Sequence, residues 1–279
     1  MGAWTLGDFR LLGIGGEFVE IIMIKYSEYL DLVVEMARAA GEVQLSHFRS
    51  ANLDMHTKSN SYDVVTVADK ESEHIIISRI KERFPEHSIL SEESGTFAGD
   101  SEWRWVVDPL DGTTNFSQGL PVFCVSIALQ HKGETVVGVV YAPYLGELFH
   151  AVKGEGAYLN GRRIHCSLKS DFGEAVLATG VPYDKKENPD NNLTEITRIA
   201  PEVRGVRRLG SAAFDLCYVG AGFFDGYWEL NLNPWDVAAG MLIAEEGGAR
   251  CMRIRENRNE SVMAASPGIF DKLSGYLKV

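Results

Sequence analysis

Positive charge is what this 279-residue chain is shortest of: 27 lysines and arginines stand against 39 aspartates and glutamates, a formal net charge of -12. Sequence-independent binding of nucleic acid or of an anionic membrane needs a basic footprint, so neither is expected. Cysteine is equally sparse. Cys124, Cys166, Cys217 and Cys251 lie far apart without a C-x-x-C pair, which argues against a disulfide framework or a zinc knuckle and makes a reducing cytoplasm the simplest setting. The seven histidines form no H-E-x-x-H or H-x-x-x-H cluster, so a metal bound here should be held by oxygen. No other run approaches about 18 apolar residues, and no membrane span is expected.

With 45% hydrophobic and 24% charged residues, the chain can bury one large core or two moderate ones. The first 26 residues are fairly apolar, but Gly13, Gly15, Gly16, Glu17 and Glu20 interrupt the run after Arg10, and no small-x-small cleavage site follows. Residues 1–26 therefore read as an extension of unknown role, with a start at Met23 as an alternative.

From Ser27 to Arg49, the residues Leu30, Val34, Ala37, Gly41, Leu45 and Phe48 recur with the spacing of one buried helical face. A second helix is predicted from Thr66 to Phe84, stopped by Pro85. The polar loop "HTKSNSYD" lies between them. "SILSEES" and "WRWVVDP" have the form of buried strands ending in carboxylates, the place where open α/β sheets put their chemistry. "FCVSIALQ", "TVVGVVYAP" and "ELFHAV" follow as antiparallel hairpins, and Asn160-Gly161 marks a further tight turn. Beyond about residue 165, strands ("AVLATG", "FDGYWEL") alternate with helices ("GSAAFDLCYVGAGF", "PWDVAAGMLIAEEGG"). The expectation is an antiparallel-rich α+β half over 27–164, carrying most metal ligands, and an α/β half over 165–279.

Each acid has a plain reading beside a chemical one. Asp69 stands in T-x-x-D, a capping-box pattern, and Asp236, after Asn233 and Pro234, suits the first turn of a helix. Glu92 and Glu93 could equally be solvated loop residues. Asp108 and Asp111 are harder to set aside: an acid closing "WRWVV" should be partly buried, and two acids in one turn repel each other. A hard divalent cation removes that cost. Mg²⁺ takes carboxylate, carbonyl and water oxygens, and Glu92, Asp108, Asp111 and Asp236 shared between two ions meet that demand, with the Leu110 carbonyl as a further donor. Gly112 and Thr113 then lead into a helix whose free N–H groups can hold a phosphate oxygen. The spacing D-x-x-D, in place of D-x-D-x-T, points both carboxylates at metal and disfavours a phosphoenzyme.

Six separated segments, in order, carry a resemblance to the inositol monophosphatase family: "KSNSYDVVTVADK" at 58–70, "SEES" at 91–94, "DPLDGTTNF" at 108–116, "GEGAYLNG" at 154–161, "GSAA" at 210–213 and "PWDVAAG" at 234–240. The similarity runs from about Lys25 to near the C-terminus. It implies an αβαβα layered sandwich, lithium-sensitive phosphomonoesterase activity with two or three Mg²⁺ ions per site, and a homodimer. By the same resemblance, Glu92, Asp108 and the Leu110 carbonyl bind a first metal, Asp108, Asp111 and Asp236 a second, and Glu92 helps to hold a third. Gly112 and Thr113 contact phosphate, Asp69 pairs with Thr113 to help Glu92 orient the attacking water, and Gly210, Ser211, Ala212 and Glu229 line the alcohol pocket. Two departures stand out. Ser91 replaces the glycine of G-E-E-S, which reads as a backbone detail, and Asn233-Pro234 replaces a His-Cys pair, which leaves the alcohol open.

The implied reaction is in-line attack of a metal-activated water on inositol 1-phosphate or a similar polyol or sugar phosphate. Rivals on the same fold are 3'(2'),5'-bisphosphate nucleotidase, fructose-1,6-bisphosphatase and histidinol-phosphatase activities. The rival outside it is a non-catalytic regulatory partner protein, such as one associated with RNA polymerase. The run "RGVRRLG" offers Arg204, Arg207 and Arg208 for a second phosphate; a solvated edge or dimer contact is its blander and preferred reading. Lys58 is either a cation near the substrate or a solvated lysine.

Overall fold

The computed structural model describes residues 25–50, 65–256 and 259–277 with their side chains, and the backbone of short strand segments at 4–6, 9–14, 17–22, 56–57 and 64. The segments β1 (Trp4–Leu6), β2 (Phe9–Ile14) and β3 (Glu17–Ile22) form an antiparallel meander within the extension, and β4 (His56–Thr57) pairs antiparallel with β5 (Val64–Val65). Lys58 and its loop, 58–63, lie outside the described residues.

Helix α1 (Leu30–His47) buries Val33, Met36, Ala37, Ala40, Gly41 and Gln44. This stripe is rotated from the expected one: Leu45 is 41% exposed and Gln44 is fully buried. Two contacts account for the rotation. The Tyr141 ring packs on Gly41, and Gln44 Nε2 donates to the Pro109 carbonyl at 2.7 Å, so a polar side chain takes a core position by satisfying a strand carbonyl. Helix α2 (Val67–Arg83) is capped as predicted. The Thr66 hydroxyl accepts from Ala68 N–H, and Asp69 accepts the Thr66 N–H at 2.8 Å.

Both helices cover one face of an eight-stranded sheet made of β6 (Ser88–Ser91), β7 (Gly95–Phe97), β8 (Trp103–Asp111), β9 (Cys124–His131), β10 (Glu134–Ala142), β11 (Glu147–Val152), β12 (Gly156–Leu159) and β13 (Arg162–Arg163). The strand order is β13-β12-β11-β10-β9-β8-β6-β7, antiparallel throughout except for β6 beside β8. Asn160 and Gly161, both left-handed (φ 49° and 76°), make the tight turn between β12 and β13.

A second, five-stranded sheet contains β14 (Val176–Thr179), β15 (Gly205–Arg207), β16 (Gly226–Leu232), β17 (Arg250–Arg253) and β18 (Glu260–Ala265), in the order β15-β14-β16-β18-β17. After the short α3 (Thr113–Ser117) and α4 (Leu193–Ile199) come α5 (Ala212–Gly220) and α6 (Pro234–Glu246), which pack between the two sheets. Helices α4 and α7 (Pro267–Leu277) close the outer face of the second sheet. The result is a five-layered αβαβα sandwich. Strand β8 has both faces covered, Trp105 and Val107 toward α1 and α2, Val106 toward α5 and α6, which is why it reads as an unbroken apolar run. Each fully buried large side chain of this kind contributes about 2 kcal/mol.

Candidate active site

The site begins with an irregularity in β8. Asp108 pairs with Ser126 and Asp111 with Cys124, so three residue steps on β8 match two on β9: a β-bulge. In a regular strand, acids three apart would point to opposite faces; the inserted residue returns both carboxylates to the face that looks toward α5 and α6. Pro109 has no N–H to lose from the ladder and suits the bulge. Asp108 Oδ1 accepts the Leu110 N–H at 2.9 Å, and Gln44 holds the Pro109 carbonyl from behind. Gly112 (φ 93°) then turns the chain into α3, where a Cβ would lie 3.0 Å from the Val122 carbonyl oxygen.

Helix starts supply the remaining groups. Asp111 Oδ2 accepts the Ser211 hydroxyl at 2.7 Å and the Ala213 N–H, in the first turn of α5, at 2.8 Å. Asp236, in the first turn of α6, accepts the Asn233 N–H at 2.7 Å. The Thr113 hydroxyl stands 3.1 Å from Asp69 Oδ1 and 2.9 Å from the Leu110 carbonyl, so it donates to one of them at a time. Glu92 follows β6, its N–H donating to the Val107 carbonyl at 3.2 Å, and its side chain shares a hydrogen bond with Asp108.

Burial, and then the charges of Glu92, Asp111 and Asp236, push Asp108 well above the usual carboxylate range. Asp236 is raised in the same way, by burial first and then by Asp111 and Glu92. Burial lifts Asp111 to about 6, opposed by the bonds it accepts from Ser211 and Ala213. Among the described residues, no three acid, thiol or imidazole groups already form a closed chelate. The donor set nevertheless fits hard divalent cations: it is all oxygen, and its cost as a group, burial and then mutual repulsion of charge, is one that such ions offset.

The opposite wall repeats the device in the second sheet. Glu229 pairs with Val262 and Leu232 with Glu260, again three steps against two, with Asn231 left-handed (φ 61°) inside the bulge and its N–H on Ser261 Oγ at 3.0 Å. Glu229 accepts the Tyr227 hydroxyl at 2.7 Å. Burial raises Glu229 to about 7, against the lowering effects of Tyr227 and Arg208. A Cβ on Gly180 would lie 1.9 Å from Glu229 Oε1, so the absence of a side chain there makes room for the carboxylate. Buried Asn192 braces that segment: it accepts from Trp228 Nε1 at 2.6 Å and donates to the Gly180 carbonyl at 2.6 Å.

Every residue predicted to bind metal or substrate lines one cleft, with Asp69 behind Thr113. One reading needs correction. Ser91 is more than a backbone detail, because its hydroxyl, wholly buried, donates to Glu73 Oε1 at 2.5 Å. In the arginine run all three side chains are exposed, as on a solvated edge; Arg204 pairs with Glu174 at 3.7 Å, and Arg208 also lines the cleft. Gln44, Glu73, Gly180 and Tyr227 escaped the sequence reading. Only Glu73 carried a signal, standing four residues after Asp69 on the same helical face.

The family model for the inositol monophosphatase family matches residues 25–275. A Vibrio cholerae protein named Nus factor SuhB is 46% identical over 221 residues, 79% of this chain and 83% of its own length. An inositol-1-monophosphatase of Mesorhizobium japonicum is 42% identical over 224 residues, 80% of this chain and 84% of its own. The solved structure of an inositol monophosphatase from Anabaena superimposes with a TM-score of 0.81 at 40% identity, covering 90% of this chain and 95% of that one. With the motifs, the layers and the two bulges in place, this chain belongs to the inositol monophosphatase family.

Proposed function

We propose that the protein hydrolyses the phosphate monoester of a small polyol, inositol 1-phosphate or a close analogue, in a Mg²⁺-dependent reaction without a phosphoenzyme. The observation that carries this reading is the bulge that turns Asp108 and Asp111 to one face of β8, where they meet Glu92 and Asp236. Glu92, Asp108, the Leu110 carbonyl, Asp111 and Asp236 are the residues that would hold two or three ions. Four carboxylates carry about -4 and two Mg²⁺ balance them, so a phosphate dianion meets a neutral site. Bound Mg²⁺ supplies a lowered pKa for water and charge stabilisation at phosphorus.

The chain's own residues do the rest. Glu92 and the Asp69–Thr113 pair orient the attacking water, and the backbone of Gly112 and Thr113 holds phosphate oxygens. Ser211 and Ala213 hold one oxygen of Asp111, so Ser211 acts through a metal ligand as well as lining the pocket. Glu229 accepts from a substrate hydroxyl and Arg208 donates to one, a pairing that matches a neutral polyol. Above about pH 7, where Glu229 is ionised, a second phosphate would meet its charge, which weighs against bisphosphate substrates there.

The test is phosphate release with Mg²⁺, with and without Li⁺, from inositol 1-phosphate, a sugar monophosphate, 3'-phosphoadenosine 5'-phosphate, fructose 1,6-bisphosphate and histidinol phosphate. Lithium-sensitive turnover is expected, fastest on the polyol ester. A partner role is the second reading, favoured by the 46%-identical relative named a Nus factor. No release from any of these esters would move the weight to it.

A further inference from the structure

Glu73 takes no part in the roles above, yet it is an acid only 5% exposed with several hydrogen bonds in one place. Its Oε1 accepts the Ser91 hydroxyl at 2.5 Å and the Ser94 N–H at 3.0 Å, and its Oε2 accepts the Ser94 hydroxyl. These donors come from the two ends of the turn "SEES", so one carboxylate spans the segment that contains Glu92 and Glu93. Glu73 stands one helical turn after Asp69, whose Oδ1 meets Thr113. Residues four apart share a helical face. Helix α2 therefore holds both parts of the proposed water-orienting group, Thr113 through Asp69 and the Glu92 turn through Glu73.

We propose that Glu73 is a positioning residue for Glu92: it sets the turn between β6 and β7 at the height and angle from which the Glu92 carboxylate meets Asp108 and the attacking water. This rests on the phosphatase reading for its catalytic consequence, but not for its structural one. The turn follows a four-residue strand and its ends pair as Ser91 with Gly95, and the Ser91 hydroxyl is spent on Glu73 and not on a ligand. A misplacement of about 1 Å in such a group costs on the order of 10²-fold in rate while leaving substrate affinity in place. Glu73 touches no substrate in this account, so its removal should act on kcat and not on KM.

The experiment compares the wild-type chain with Glu73→Gln and the milder Ser94→Ala, by kcat and KM for inositol 1-phosphate with Mg²⁺ and by amide hydrogen exchange without metal. In Glu73→Gln, kcat should fall at least tenfold with KM within threefold, and exchange should quicken at 91–95 but not in β9 or β10. Ser94→Ala should show the same pattern at a few-fold, which keeps the test open should Glu73→Gln fold poorly. An unchanged kcat, or a lowered kcat with no local change in exchange, would overturn the assignment. A wild-type chain that releases no phosphate counts against the phosphatase reading alone; the exchange at 91–95 then decides for or against Glu73.

Discussion

The cleft has two walls, and each is shaped by a β-bulge that matches three residue steps to two. In β8 the bulge contains Pro109, has no left-handed residue, and aligns two acids toward the helix layer. In β16 it contains left-handed Asn231 and places Glu229 and Leu232 on one face. The first wall is fastened by local bonds, such as Asp108 to Leu110 N–H, and by the starts of α5 and α6. The second draws on Gly180, Asn192, Arg208 and Tyr227, residues scattered over one strand and three loops. Under the proposed function the difference matches a division of labour: reaction chemistry would sit on a short motif with little freedom, and alcohol choice on parts that can vary one at a time.

The largest expected effect comes from removing the first bulge. Inserting an alanine after Val125 in β9 would match three steps with three, restore regular pairing and throw Asp111 to the opposite face, so Mg²⁺-dependent phosphate release should fall more than 10³-fold while circular dichroism stays native-like. Next comes the second wall. Gly180→Ala places a methyl where the Glu229 carboxylate lies; that flexible end must swing aside, and KM for a polyol phosphate should rise about tenfold with kcat changed less.

Glu229→Gln separates affinity from stability. Glu229 is an acid raised from 4.5 to about 7, so between those values the folded chain holds a proton that the unfolded chain has lost, and stability falls as pH rises through that window. The full shift corresponds to about 3 kcal/mol, an upper figure for a group that is partly reached by solvent. In the absence of metal, Glu229→Gln should therefore melt above the wild type at pH 8, with little difference at pH 4.5, while its KM is raised. Thermal melts at the two pH values check the sign. The smallest effect is the contrast between neighbours: Arg208→Ala should raise KM a few-fold and Arg207→Ala should leave it within twofold, because only Arg208 lines the cleft.

The same contrast governs what could be read from the chain. "DPLDGTTNF" was legible because Pro, Gly and paired acids each impose a local geometry, and the helix caps at Thr66 and Asn233 were legible for the same reason. The bulge in "YWELNLN" was not, since the left-handed conformation of Asn231 depends on pairing with β18, thirty residues away. Gln44 was missed because its amide is buried by a tertiary partner, the Pro109 carbonyl, and helical periodicity ranks it as polar and outward. The importance of Gly180 appears only once Glu229 is beside it. Five layers followed from the resemblance; that α5 and α6 form the layer between the two sheets could not be read from element order.

Under the proposed function, the β8 bulge converts two repelling acids into one cation-binding face for hydrolysis. A Mg²⁺ titration of phosphate release from inositol 1-phosphate, wild type against Asp108→Asn, tests it most directly. Saturable, Mg²⁺-dependent release is expected from the wild type and less than about a thousandth of that rate from the variant, whose metal-free melting temperature is equal or higher because a buried acid that is costly to ionise is gone. Equal rates in the two proteins across the titration would contradict it.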